Sequence, residues 1–128
     1  MNEVHKLTRE QIDSEGLYIG KVDLDNFDGD IEIAPNLMVL SIGGLRASGS
    51  IRSGEGTDIF CFTLIAGGDL YVAGSVRAYE DVAVQGNAEI WGNLSVGDSV
   101  GIVGKTLVHG SLTINDQAAE RKKKKEQP

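Results

Sequence analysis

Residues 68–115 read GDLYVA, GSVRAY, EDVAVQ, GNAEIW, GNLSVG, DSVGIV, GKTLVH, GSLTIN, eight hexads without an insertion. Glycine opens six of them, and Glu80 and Asp98 open the other two. The third position is Leu70, Val76, Val82, Ala88, Leu94, Val100, Thr106 and Leu112, and the fifth is Val72, Ala78, Val84, Ile90, Val96, Ile102, Val108 and Ile114. The fourth varies freely, from Tyr71 and Arg77 to Gly101 and Thr113. Internal repeats of this kind settle the architecture before any other feature.

Positions three and five lie two apart, so they share one face of a short strand while position four points away. The inward face is aliphatic and the outward face takes any residue. Glycine at position one is expected to make the bend between strands by reaching positive φ. Asp98 tolerates such a conformation and Glu80 fits it less well. A six-residue step with a corner at each end is one side of a prism. Three sides close a coil of 18 residues, and coils stack at roughly 4.8 Å with backbone hydrogen bonds along the axis. The reading is an all-β, single-stranded parallel β-helix of about five to six triangular coils, each touching only its neighbours.

Composition agrees. The 128 residues fit one domain, 17 are glycine, and aromatics are 5%, so the core is aliphatic. One cysteine excludes an intrachain disulfide. No apolar run approaches the ~20 residues of a membrane helix, and no signal-peptide pattern opens the chain. The expected compartment is the cytoplasm.

Outward from the repeat, residues 17–67 follow it less cleanly. LYIGKV and DLDNFD place Ile19 and Phe27 inward but put Asp25 at an apolar position, whereas GDIEIA fits with Ile31 and Ile33 inward. Pro35 and Asn36 read as extra corner residues, and Glu55 as a one-residue insertion. The run IFCFTLI, residues 59–65, is either a strand buried on both faces or an exposed interaction face. Cys61 within it reads as a small buried hydrophobe. The β-helix domain is thus expected over 17–115. Residues 1–16 form a polar arm, or a cap over the first coil, with His5 solvated. Residues 116–128 form a disordered tail.

Charge is divided unevenly. Residues 1–116 hold seven basic and seventeen acidic groups, a net of −10, and residues 117–128 hold five basic and two acidic, a net of +3. The tail cations are Arg121, Lys122, Lys123, Lys124 and Lys125. They suit weak attraction to an anionic membrane surface, at about 1 kcal/mol per basic residue, and equally suit a solubilising role. No motif for specific nucleic-acid recognition is present. Asp23, Asp25, Asp28, Asp30 and Glu32 make an acidic region facing Lys21. Their spacing lacks the order and the later bidentate Glu of a calcium loop. A solvated corner, or a docking patch for a basic protein, is the expectation, with no metal.

No catalytic constellation is legible. The two histidines, His5 and His109, cannot supply the three ligands of a β-helix carbonic anhydrase. Hexapeptide acyltransferases pair an aliphatic with a small residue, whereas two inward aliphatics per hexad are the rule here. Gly104-Lys105-Thr106 lacks the spacing of a phosphate-binding loop. Trp91 and His109 occupy position six, a corner, and are expected at the surface. The expectation is a non-enzymatic protein without cofactors.

The string GDLYVAGSVRAYEDVAVQGNAEIWGNLSV resembles the bactofilin family of bacterial cytoskeletal proteins. The resemblance covers about 95 residues. It implies a compact right-handed β-helix with short tails that stacks end to end into filaments without nucleotide, often beneath the membrane. An independent argument also points to polymers, because the last coil of a β-helix leaves strand edges unpaired and able to template another copy. Leu112 and Ile114 occupy that layer, with Leu94 and Val96 one coil below, so these four are the expected self-association residues. The alternative from a different class is a small acidic binding protein, such as an inhibitor, an immunity protein or a nucleic-acid mimic.

Overall fold

The computed structural model describes residues 3–114. They form a β-solenoid with three parallel sheets along its sides. Sheet one holds β1 (Val4–Leu7), β2 (Asp30–Ile33), β5 (Ile51–Ser53), β8 (Leu70–Val72), β11 (Ala88–Ile90) and β14 (Thr106–Val108). Sheet two holds β3 (Met38–Ser41), β6 (Thr57–Cys61), β9 (Val76–Ala78), β12 (Leu94–Val96) and β15 (Leu112–Ile114). Sheet three holds β4 (Gly44–Ala47), β7 (Thr63–Ala66), β10 (Asp81–Val84) and β13 (Ser99–Ile102). Apart from these strands, the described residues contain one 3₁₀ turn, Arg9–Gln11, and no α-helix.

The register shows the repeat tightening along the chain. Ile31 lies opposite Ile51, Ile51 opposite Leu70, Leu70 opposite Ala88 and Ala88 opposite Thr106. The last two steps are the 18 residues of three hexads. The earlier ones are longer because extra corner residues intervene. Asn36 adopts φ 61°, and Gly56, beside the inserted Glu55, adopts φ 79°. The amide of Asn36 donates to the carbonyl of Glu55, so the two irregular corners stack on each other.

Solenoid pairing begins at Val4, upstream of the expected boundary at residue 17. β1 pairs with β2 from Val4 opposite Asp30 to Leu7 opposite Ile33. Leu17 bridges Ser41 and Phe27 bridges Ala47, so residues 3–29 trace a first, irregular coil across all three sheets. Leu7, Ile12 and Leu24 are buried in it, and Ile19, expected inward, is exposed. His5, expected to be solvated, is half-buried. It stands opposite Ile31 in the inward column, packs edge-on against Phe27 at 5.7 Å and hydrogen-bonds Gln11 at 2.8 Å. These contacts close the N-terminal end of the core.

From Ile31 to Val96 the inward residues form one continuous buried cluster. IFCFTLI resolves neither as a doubly buried strand nor as an interaction face. It crosses a corner, with Ile59, Cys61 and Leu64 buried and Phe62 exposed at the bend. Two polar residues enter the core differently. Thr57 Oγ1 donates to the carbonyl of Ala34 and accepts from the amide of Leu37, so it is satisfied. Ser53 stands between Ile33 and Val72 with no partner for its Oγ.

The corners are held by a feature that lies at hexad position two. At two of the three corners the side chain there accepts the backbone N–H of the corner one coil further on. In the first ladder Asp30 receives Ser50 (2.7 Å), Ser50 receives Asp69 (3.0 Å), Asp69 receives Asn87 (2.8 Å) and Asn87 receives Lys105 (2.9 Å). In the second, Asp58 receives Ser75 (2.9 Å), Ser75 receives Asn93 (2.9 Å) and Asn93 receives Ser111 (2.8 Å). The glycines follow from these ladders. Positive φ, the expected reason, is absent from every glycine of the hexad block; it occurs at Gly16, Gly29 and Gly56. A Cβ on Gly86 would instead lie 2.1 Å from Asp69 Oδ1, and one on Gly92 would lie 2.2 Å from Ser75 Oγ. Glu80 and Asp98 share the third corner with Gly43 and Phe62, through the amide chain Asp98 to Glu80, Glu80 to Phe62 and Phe62 to Gly43. A Cβ on Gly43 meets nothing within 4 Å, so this corner accepts side chains.

Two stability measurements follow. Gly86→Ala and Gly92→Ala should each lower the unfolding free energy by about 1–3 kcal/mol, the range for overpacking, while Gly43→Ala leaves it within about 0.5 kcal/mol. Equal losses in chemical denaturation at all three sites would contradict the steric account. Ser53→Ala should raise stability by about 1 kcal/mol, since it removes a buried hydroxyl without a partner.

Candidate self-association surface

Core burial falls off at the C-terminal end of the described chain. Leu94 and Val96 on β12 are fully buried. Their register partners on β15, Leu112 and Ile114, are 51% and 44% exposed. Val100, Ile102 and Val108, on the other two sides, are half-buried, and Thr106 is exposed. These positions would be interior in a longer solenoid. Among the described residues, β13, β14 and β15 are terminal strands of their sheets, each with a neighbour on one side. The structure therefore brings together the four residues expected from the sequence, Leu94, Val96, Leu112 and Ile114, as an exposed apolar layer over a buried one.

The polar ladders end here in different ways. Ser111 closes the second with a hydroxyl that can still accept an amide. Lys105 closes the first with an ammonium, which can only donate. A further coil of the same chemistry would find an acceptor at one corner and none at the other.

Most carboxylates of the acidic region have partners close by. Asp25 is in an exposed ion pair with Arg46 at 3.0 Å. Asp28 accepts the Ser48 hydroxyl at 2.8 Å, Asp30 is the first rung of a corner ladder, and Asp23 accepts the Asp25 amide at 2.9 Å. Glu32 lies on sheet one, in register between Lys6 and Arg52. Four of the five carboxylates thus have local partners, and the fifth lies in register between two cations. Among the described residues no group of three or more His, Cys, Asp or Glu side chains is arranged to hold a metal. No described helix is long and apolar enough to cross a membrane. The tail cations Arg121 and Lys122, Lys123, Lys124 and Lys125 lie outside the described residues.

Sequence reasoning missed two aromatic clusters. Phe62 and Tyr79 pack at the third corner with centroids 5.6 Å apart, and the Arg77 guanidinium lies 5.7 Å from the Tyr79 ring. Trp91 and His109 stack with centroids 3.8 Å apart and planes 6° off parallel, and His109 Nε2 contacts Glu89 Oε2 at 3.1 Å. The signal was available, because Trp91 and His109 both occupy hexad position six, 18 residues or one coil apart. Cys61 is buried, and removal from water pushes its thiol pKa up to about 12.

Comparison of the chain with protein-family models, curated proteins and solved structures returned no match. The bactofilin resemblance rests on the residues quoted above.

A neutral, enclosed thiol is a poor nucleophile. Cys61 should therefore react with an aromatic disulfide reagent at pH 8 at least a hundredfold more slowly in the native protein than after denaturation. Comparable rates in both states would place it at the surface.

Proposed function

We propose that this chain is a non-enzymatic structural protein of the cytoplasm that associates with copies of itself end to end through its solenoid termini, building filaments or a scaffold of the bactofilin kind. The observation that carries the reading is the contrast between Leu94 and Val96, fully buried, and Leu112 and Ile114, about half exposed in the same two columns. Covering that layer removes apolar surface from water at roughly 25 cal/mol per Å². Pairing the terminal strands would satisfy their backbone groups in the same step.

The two ends differ, and this constrains the assembly. At the N-terminal end, Leu7, Ile12 and Leu24 are already buried within the first coil. The strand edge of β1 remains there, and Val4, Leu17, Ile19 and Val22 of the same coil are exposed. A contact between two C-terminal ends closes as a two-fold pair, and growth into a filament requires the N-terminal face as well.

Negative-stain electron microscopy and sedimentation test the reading. The parent protein should form filaments or particles well above the 13.6 kDa of one chain. Leu112→Lys with Ile114→Lys should reduce these to single chains or pairs, while Thr113→Lys, on the outward face of the same strand, should leave assembly unchanged. Parent particles that stay small and uniform over a wide range of concentration and salt would overturn self-assembly. The acidic binding reading would then stand in its place.

A further inference from the structure

The Trp91–His109 stack stands above a notch in the corner between sheets one and two. The register Ser53–Val72–Ile90 places Gly54, Ala73 and Trp91, each the next residue, in one axial column. Two small residues therefore lie beneath a large one. The resulting open cavity has a volume of about 230 Å³ and is lined by Glu55, Tyr71, Ala73 and Trp91. Tyr71 walls it from the outward face of β8 and is 37% exposed. Glu55, the inserted residue of its coil, supplies a carboxylate where the regular repeat has none.

The aromatic wall is held in place before any ligand arrives. His109 stacks on the indole from the coil beyond and is itself tied to Glu89 at 3.1 Å, which restrains the indole from that side. Arg52, in register with Tyr71, lines the neighbouring cavity on the sheet face rather than this one.

We propose that this notch binds a quaternary ammonium group of the choline type. Two aromatic side chains and one carboxylate line one small space, a composition that attracts a weakly hydrated, alkylated cation. A hard metal ion would need several oxygen ligands, and the lining offers one carboxylate and one phenol. A sugar would need more hydrogen-bonding groups than these two. The net charge of −7 favours approach of a cation over that of an anion in general. The assignment is independent of self-assembly, since the notch lies on the side of the solenoid rather than at its end.

Trp91 is the only tryptophan, so its fluorescence reports on the site alone. Choline should shift its emission saturably. The neutral isostere 3,3-dimethylbutan-1-ol, with the same shape and no charge, should bind about tenfold more weakly or worse. Glu55→Gln should weaken choline several-fold, and Tyr71→Ala about tenfold. Both residues are on the surface, and circular dichroism verifies that the variants fold. The Trp91 indole N–H resonance provides a second readout. Phosphatidylcholine vesicles beside free choline distinguish a lipid headgroup from a soluble ligand. Equal binding of the neutral alcohol would overturn the assignment, as would the absence of a saturable response in both readouts.

Discussion

The close stacking of coils at their corners is the constraint on which the rest of this structure depends. Axial hydrogen bonds bring successive coils to roughly 4.8 Å, and at two of the three corners a side-chain oxygen also bridges each gap. A bridging Asp, Ser or Asn carries its neighbour's amide but fills the space a Cβ would need. Glycine at the next position follows, as at Gly86 over Asp69 and Gly92 over Ser75. Corner chemistry and core chemistry then reinforce each other. Fixed corners place positions three and five inward in every coil, and the aliphatic columns hold the corners at that spacing.

This arrangement also accounts for the departures from the repeat. The third corner has room, so Glu80, Asp98 and Phe62 replace glycine there. Extra residues at Pro35–Asn36 and at Glu55 lengthen two coils without disturbing the columns, because insertions at a corner project outward. Glu55 illustrates what such an insertion can do, since it adds a carboxylate beside a step where Gly54 and Ala73 leave a gap under Trp91. A solenoid produces side notches wherever small and large residues alternate along one axial column.

The end of the solenoid is where structure and proposed function meet. A β-helix has no intrinsic length, and something must interrupt the stacking. At the N-terminal end an irregular coil folds Leu7, Ile12 and Leu24 beneath the first regular layer. At the other end the columns run out through Leu112 and Ile114 with their sides open. Lys105 breaks the acceptor pattern at one corner and Ser111 preserves it at another. The two ends are therefore chemically unlike, and head-to-tail stacking would join unlike faces in one repeated contact.

From the sequence by itself, the hexads of residues 68–115 determined the solenoid, its three-sided section and the inward columns. These depend on residues six and 18 apart in an uninterrupted frame, which can be counted. The terminal layer at Leu112 and Ile114 was legible for the same reason. The sequence alone did not determine where the solenoid starts. Residues 3–29 make their coil through pairings with residues 30–47 across irregular spacings, so Ile19 was assigned inward while Leu7, Ile12 and Leu24 hold the core. Tertiary structure also decided the use of the carboxylates. Asp23, Asp25, Asp28 and Asp30 are neighbours in sequence, but each is drawn to the nearest amide, hydroxyl or guanidinium in space. The Trp91 notch depends on the same kind of fact, because residues from three coils meet there only once the register is set.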